Sequence, residues 1–182
     1  VIDQVEALRE GGLEVDLFSF RPGVDQYLPA TRKIRQVLKE EEYDLVHAHY
    51  GLAGWCAQLA GAAPLVVTFH GTDVRHRIVG PMSRLLTRRI ALVAGASKAL
   101  FEEEAGRPGL PLSEGRSAVL PCGADLCRIS RVDRKVARRI LGLDPDKPFL
   151  FFPADPERPE KRFDRAKQLA DAADAKLVCG GG

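Results

Sequence analysis

The sequence predicts an α/β protein built on a doubly wound parallel sheet, followed by an incomplete second unit of the same kind. Short apolar runs bounded by turn residues alternate with stretches of helical periodicity, which is the pattern of parallel strands connected by helices. Two of the runs end in histidine, within "DLVHAHYGLAG" and "PLVVTFHGTD". After residue 125 the chain becomes strongly charged, and a new apolar run begins at Phe149. These observations set the fold class and the division of the chain.

The first part of the chain shows helices and strands in turn. Val1, Val5 and Leu8 fall on one helical face, and Gly11-Gly12 ends that helix. The predicted elements that follow are a strand over 13–20, a helix over 30–42, a strand over 44–48, a helix over 51–60, a strand over 65–69, a helix over 79–88, a strand over 91–95, a helix over 97–105 and a short strand over 117–120.

The second part has a different composition. Residues 126–147 are rich in Arg, Lys and Asp, with one helical patch around Val136, Ile140 and Leu141. A strand over 149–152, a helix over 164–173 and a strand over 176–179 follow. We therefore predict a first domain over 1–125, a linker over 126–147 and the truncated start of a second domain over 148–182.

Composition excludes several classes of function. The formal net charge of the 182 residues is only +2, which is too small to indicate a nucleic-acid partner. The 4 cysteines show neither zinc-site spacing nor the density of a disulfide scaffold, which favours a reducing, cytoplasmic compartment. No apolar stretch reaches the roughly 18 residues of a membrane span, and the first residues do not form a signal peptide. The chain is expected to lack the front of a longer protein.

Histidines occupy the positions where a parallel sheet presents its chemistry. Open α/β sheets bind ligands outside the carboxyl ends of their strands. His49 and His70 each end an apolar run, and the nearby Gly51 and Gly71 allow the backbone to approach a ligand. We expect His49, His70 and Gly71 to contribute to a site, and His47 to lie deeper in its strand as a packing residue.

A metal site is the alternative for the same histidines. Residues two apart on a strand share a face, so His47 and His49 could combine with His70 in a three-histidine zinc site or a metal-dependent hydrolase. Such hydrolases need further ligands later in the chain, and no histidine follows His76. The prediction is therefore that the protein binds no metal.

Five motifs in order carry a family resemblance. "DLVHAHYGLAG", "PLVVTFHGTD", "ALVAGASKAL", "AVLPCGADLCRI" and "DPERPEKRFD" resemble the amino-terminal half of a family 4 glycosyltransferase. Members of that family are retaining enzymes with two facing Rossmann-like domains, the GT-B fold. Two segments depart from the family pattern: residues 121–125 are Pro-Cys-Gly-Ala-Asp in place of Pro-Asn-Gly-Val-Asp, and residues 153–155 are Pro-Ala-Asp in place of Gly-Arg.

The resemblance implies a function and a set of site residues. The parent protein would transfer a hexosyl group from a nucleotide-diphosphate sugar to a carbohydrate or lipid-linked acceptor, with retention of configuration and without a metal or other cofactor. The family's opening strand, its glycine-rich loop and its Glu-x7-Glu segment have no match in the sequence, so this chain alone is expected to be inactive. The residues implied are the catalytic His70, the donor-diphosphate ligands Arg158 and Lys161, and the substrate ligands His49, Gly71, Thr72 and Asp73.

Some of these residues also have ordinary structural interpretations. Thr72 and Asp73 could instead cap the helix that follows them, and Ser97 is predicted to cap the helix after the strand over 91–95. Arg158 lies beside a proline-rich insertion over 153–159, so a solvated surface charge is the competing interpretation for it.

A basic segment over 75–89 indicates a second class of function. It contains no acidic residue, and its apolar residues could form a stripe on a helix that lies on the inner, anionic face of a membrane. The chain would then act as a lipid-surface binding module. The alternative is a core-packed helix with a solvated basic face. The basic residues are Arg75, His76, Arg77, Arg84, Arg88 and Arg89, and the apolar ones are Ile78, Val79, Met82, Leu85 and Leu86.

Overall fold

A computed structural model describes residues 1–21, 23–104, 106–123 and 131–180. The chain divides into two units, Val1–Asp125 and Leu126–Gly182. Each unit is described by itself. Ala105, Ala124, Asp125 and Cys127, which belong to segments discussed above, lie outside the described residues.

The first unit alternates helices and strands. Helix α1 ends at Glu10 before Gly11, where the predicted glycine pair stops it. A single 3-10 turn, Lys98–Phe101, follows the third strand. The elements in chain order are α1 (Ile2–Glu10), α2 (Val24–Glu40), β1 (Val46–His49), α3 (Gly51–Ala60), β2 (Leu65–Phe69), α4 (Thr72–Arg75), α5 (Val79–Leu86), β3 (Leu92–Gly95) and β4 (Ser117–Val119).

The four strands form one parallel sheet, as the sequence pattern predicts. Their order is β1-β2-β3-β4, with Val46 opposite Leu65, Val66 opposite Leu92 and Val93 opposite Ser117. The spatial order follows the chain order, so within the described residues the sheet winds in one direction. Parallel pairing aligns the carboxyl ends of all four strands at one edge.

Small residues allow α3 to pack closely on the sheet. A side chain at Gly54 would collide with Val67 and Leu86, so only glycine lets helix and strand approach to this distance. Apolar side chains from β2, β3, α3 and α5 form the core around this contact. Burial of these side chains is the main favourable contribution to the stability of the unit. The fully buried members are Leu65, Val67, Phe69, Val74 and Leu86.

Strand alternation separates this core from the histidines. In β2, Leu65, Val67 and Phe69 belong to the core cluster, so Val66 and Thr68 point to the opposite face of the sheet. The register pairs His47 with Val66 and His49 with Thr68, which places both histidines on that opposite face. The two histidines therefore lie beside Thr68 and not among the core side chains.

The second unit holds a two-stranded parallel sheet. Strand β5 (Phe149–Phe152) pairs with β6 (Lys176–Cys179), with Phe149 opposite Lys176, and not with the sheet of the first unit. Helix α7 (Phe163–Ala172) connects the two strands and packs on both. Helix α6 (Arg134–Ile140) precedes them, and its first residues are capped by the carboxylate of Asp133.

Local pairing and helix geometry correct several predicted elements. The stretch over 13–20 alternates like a strand but is not one, because no described backbone pairs with it; Phe18 and Phe20 instead contact each other, and Phe20 contacts Tyr27. The helix predicted over 97–105 is only the 3-10 turn, and Ser97 stands at its N-cap without a capping side-chain bond. The helix predicted over 30–42 begins earlier, at Val24, because α2 accommodates Pro29 in its interior. The short helix α4 was not predicted.

None of the helices in the described ranges is both long enough and apolar enough to cross a lipid bilayer.

Candidate functional site

The carboxyl edge of the first sheet brings three reactive side chains together. His49 is the last residue of β1, His70 follows the last residue of β2, and Cys122 lies three residues beyond the end of β4. Nδ1 of His49 is 3.1 Å from Nε2 of His70, and the Sγ atom of Cys122 is 3.8 Å from Nδ1 of His70. The structure thus places His49 and His70, two of the predicted site residues, in direct contact.

The three histidine rings are arranged in a row. His47 stacks on His49 with ring centroids 4.6 Å apart, and His49 stacks on His70 at 5.3 Å. His47 is anchored in the sheet by a 2.7 Å hydrogen bond between its Nε2 and the hydroxyl of Thr68. His70 is exposed, while His47 and His49 are half-buried behind it. Among the three rings, His70 is thus the one most exposed to solvent.

Burial keeps the inner two rings neutral. It lowers the pKa of His49 to about 4, with further contributions from His47, His70 and the amino terminus. Burial also lowers the pKa of His47, assisted by the charge on His70. At neutral pH His49 therefore has one protonated and one unprotonated nitrogen, so it can accept a hydrogen bond from His70.

A buried carboxylate holds the backbone of the site. The side chain of Asp73 is 0% exposed, and its Oδ1 accepts the N–H groups of His70 and Gly71, each at 2.9 Å. Its Oδ2 accepts the N–H of Gly51 at 3.0 Å. Since Gly51 begins α3 and His70 follows β2, Asp73 connects the turn after His49 with the turn that carries His70. Because the Asp73 side chain is fully buried, it has no surface with which to contact an acceptor hydroxyl. Asp73 does not cap α4 either.

Two residues of these loops adopt backbone conformations with positive φ. Gly71 has φ of 123°, which an L side chain would adopt only under strain, so glycine is required for the turn that follows His70. Tyr50, between His49 and α3, has φ of 82° and donates its N–H to the carbonyl of Thr68. Burial and the charge of Asp73 raise the pKa of the Tyr50 hydroxyl. Strain in a non-glycine residue is characteristic of sites whose surroundings fix the backbone.

The remaining predicted site residues are exposed. Thr72 lies in the first turn of α4 beside Gly71. Arg158 and Lys161 belong to the second unit, next to and within a 3-10 turn over Pro159–Lys161. The guanidinium of Arg158 pairs with Glu160, with 2.5 Å between Nη2 and Oε1. Arg158 thus has a local partner on the surface.

The alternative metal site does not match the geometry. In the described ranges no three His, Cys, Asp or Glu side chains come together as a ligand set. His49 and His70 bond directly to each other, and His47 directs Nε2 to Thr68. The three rings are stacked in a row.

Sequence reasoning identified the histidines but missed two features of the site. Cys122 was noted only as a departure from the family pattern, although it follows the strand next to β3 and so belongs to the same sheet edge. The bridging role of Asp73 had no signal in the sequence, because it depends on the N–H of Gly51, 22 residues away.

Comparison with known proteins identifies the family to which the chain belongs. The sequence profile of Glycosyltransferase Family 4 matches residues 6–128, which include β1 to β4 and the three reactive side chains. Three curated relatives are named D-inositol 3-phosphate glycosyltransferase. The one from Geodermatophilus obscurus is 30% identical over 64% of this chain, and those from Nocardia farcinica and Actinosynnema mirum are 32% and 33% identical over 64% and 60%.

The chain spans 30% of the length of each of these relatives. Profile and relatives agree with the mixed α/β architecture and its parallel sheets. The chain belongs to glycosyltransferase family 4.

Proposed function

We propose that this chain forms part of a retaining glycosyltransferase in which His70 hydrogen-bonds a hydroxyl of the donor sugar through Nδ1, the ring nitrogen that does not contact His49, in exchange for its long contact with Cys122. The observation that supports this role best is the exposed imidazole of His70 at the carboxyl edge of the sheet. The Nδ1 atom of this ring lies 3.8 Å from the Sγ atom of Cys122, Nε2 contacts His49, and the backbone N–H of His70 donates to Asp73. A polar group fixed on two sides is oriented before the substrate arrives, which is what electrostatic catalysis requires.

The chemistry of sugar transfer explains the value of such a group. Cleavage of the bond between sugar and diphosphate develops positive charge at the sugar carbon and negative charge on the leaving group. His70 would position the sugar during this step. Because His49 stays neutral, it adds no positive charge beside a carbon that is itself becoming positive.

The proposed partner for the leaving diphosphate is the pair Arg158 and Lys161 of the second unit. Cations on a diphosphate stabilise both its binding and its departure, so no metal cofactor is needed in this proposal. Lys161 is an exposed ammonium suited to this role. Arg158 would have to exchange Glu160 for the phosphate oxygens.

The acceptor is proposed to be a polyol, either a free carbohydrate-like molecule or a lipid-linked one. The relatives are named for D-inositol 3-phosphate, which makes that compound the first acceptor to assay. Gly71 and Thr72, exposed or half-buried beside His70, are the proposed contacts for acceptor or donor hydroxyls.

The test is sugar transfer by the full-length protein that contains this chain. A panel of nucleotide-diphosphate sugars is incubated with D-inositol 3-phosphate and other polyols, and products are identified by mass spectrometry. The anomeric configuration of the product is read from its NMR coupling constant. A product with the donor's configuration supports the proposal. An inverted product contradicts retention, and absence of transfer from every donor contradicts the proposed reaction.

A second candidate function rests on the surface of α5. Ile78, Met82 and Leu85 are 70%, 41% and 47% exposed, and their spacing places them on one helical face. Four arginines of the segment divide into two groups. Arg75 and Arg84 bond to the backbone carbonyls of Ala99 and Pro108, whereas Arg77 and Arg88 remain exposed. The predicted apolar stripe is divided as well, because Leu86 is buried in the core while Leu85 is exposed.

We propose that this α5 surface, defined as Ile78, Met82 and Leu85 with Arg77 and Arg88, contacts the anionic cytoplasmic face of a membrane. Exposed apolar residues beside cations are the composition of interfacial helices. Co-sedimentation of the chain with anionic vesicles is expected and should weaken with salt, with no binding to neutral vesicles. The variant Ile78→Ser/Leu85→Ser should lose binding, while the exposed control Val24→Ser should keep it. Equal binding by both variants would exclude the α5 surface.

A further inference from the structure

Cys122 is placed next to the imidazole pair at the edge of the first sheet. It is a free, exposed cysteine whose Sγ lies 3.8 Å from Nδ1 of His70. The other ring nitrogen of His70 lies 3.1 Å from His49. The three side chains therefore follow the order nucleophile, base and orienting group, which is the arrangement that activates nucleophiles in proteins.

The hydrogen-bond pattern suits a thiol that gives its proton to His70. A protonated imidazole donates from both nitrogens and needs two acceptors. His49 is one acceptor, because it is neutral and its Nδ1 is unprotonated in the tautomer that carries the proton on Nε2. The Sγ atom of Cys122, after transfer of its proton, would be the other acceptor, on the Nδ1 side. Both donors of the charged ring are thus satisfied in the geometry that the structure already has.

We propose that Cys122 is a reactive thiol, activated by the His70–His49 pair, and that it is a site of S-alkylation by soft carbon electrophiles such as haloacetamides and α,β-unsaturated carbonyl compounds. With iodoacetamide, the proton moves from sulfur to Nδ1 of His70. The thiolate sulfur then forms a bond to the methylene carbon while the carbon–iodine bond breaks and iodide leaves. The proton is afterwards released from His70 to water. This proposal stands on the side-chain geometry and does not depend on the proposed sugar transfer.

The chain contains its own reference cysteines. Cys179 is exposed at the end of β6 in the second unit, which contains no histidine. Cys56 is buried in α3, with Sγ 3.5 Å from the carbonyl of Tyr27. Exposure alone would make Cys122 and Cys179 equally reactive, whereas activation by His70 makes Cys122 the faster one.

The experiment measures alkylation rates at each cysteine of the folded chain. A Cys127→Ser background is used, because residues 117–128 form a single tryptic peptide that contains both Cys122 and Cys127. The chain is treated with limiting iodoacetamide at pH 7, and the modified fraction of Cys122 and Cys179 is followed by peptide mass spectrometry. Cys122 is expected to react about tenfold faster than Cys179. Equal rates at the two exposed cysteines would overturn the proposal without any further variant.

Variants identify the activating group. His70→Ala should lower the rate at Cys122 to that of Cys179, and His49→Ala should lower it by a smaller factor. His76→Ala is the matched control, since the Nδ1 atom of His76 accepts the N–H groups of Ile78 and Val79, and this variant should leave the rate unchanged. The rate at Cys179 in the same sample controls for unfolding. An unchanged Cys122 rate in folded His70→Ala would overturn the role of the imidazole.

Discussion

The two units present their candidate functional groups in opposite ways. In the first unit, His70 extends from the edge of a four-stranded sheet, and its loop is held by a carboxylate that is 0% exposed. In the second unit, Arg158 and Lys161 lie at the start and the end of an exposed 3-10 turn, and Arg158 is paired with the exposed Glu160. The first arrangement is fixed by burial before any ligand binds. The second can rearrange around a ligand, because exposed ion pairs contribute little to stability.

This difference predicts how mutations divide between function and stability. In the first unit, the presented side chain and the buried support can be removed separately, and each should affect a different measurement. Trp55 is the single tryptophan of the chain and lies in α3, so its fluorescence reports unfolding of the first unit alone.

The largest expected effect comes from His70→Ala, measured as sugar transfer by the full-length protein. Loss of one preorganised polar contact to the reacting sugar should lower turnover by about one to three orders of magnitude, equivalent to roughly 2 to 4 kcal/mol. The midpoint of urea unfolding should remain unchanged, because the ring is exposed. Turnover close to that of the unmutated protein, expressed per folded molecule, would remove His70 from the catalytic proposal.

The buried support is tested by Asp73→Ala. Three backbone N–H groups lose their acceptor, so the free energy of unfolding should fall by about 3 kcal/mol in urea titrations followed by Trp55 fluorescence. Asp133→Ala is the matched control, since that exposed carboxylate also accepts two N–H groups, in the second unit. The control should leave the Trp55 transition in place. If the Trp55 transition of Asp73→Ala had the same midpoint as that of the control, the hydrogen bonds of Asp73 to Gly51, His70 and Gly71 would contribute nothing to stability.

The pH dependence of unfolding should show how much the half-buried His49 contributes to the stability of the first unit. The folded-state pKa of His49 is about 4, below the ordinary value of 6.5, so between these values the unfolded chain binds a proton that the folded chain does not. Stability is therefore complete above pH 6.5 and declines as the pH falls towards 4. Since the ring is only half-buried, we expect a loss of about 1 kcal/mol from His49. His49→Gln should show a shallower decline in Trp55-detected stability; an equal slope would contradict this assignment.

The smallest effects on stability are expected in the second unit. Lys161→Ala should weaken nucleotide-sugar binding and slow transfer, by about tenfold each, because a cation on the diphosphate acts before and during cleavage. Neither Lys161→Ala nor Arg158→Ala should shift the unfolding midpoint, since both side chains are exposed. Calorimetric titration with a nucleotide-diphosphate sugar provides the binding constant. Binding that is unchanged in both variants would separate these residues from the diphosphate.

Much of the sheet could be predicted because its signals are local. The strand over 65–69 and the helix over 51–60 were predicted with the bounds that the structure has. A continuous apolar run between turn residues, and a run of small residues ended by Gly61, each define their element without reference to distant residues. The stretch over 13–20 shows the limit of this reasoning. Its alternation describes side chains that fit a strand, but a strand also needs a partner backbone, which the pattern cannot supply.

The sequence by itself determined the parallel α/β pattern and the placement of His49 and His70 at the same edge, because parallel strands align their carboxyl ends whatever their neighbours are. Only the tertiary structure decided what these residues contact. Asp73 turns inward to Gly51, Cys122 comes to 3.8 Å from His70, and Leu86 is buried while Leu85 is exposed. Each of these outcomes depends on atoms brought together by packing from distant parts of the chain. Such contacts have no periodicity along the sequence, so no local pattern could have revealed them.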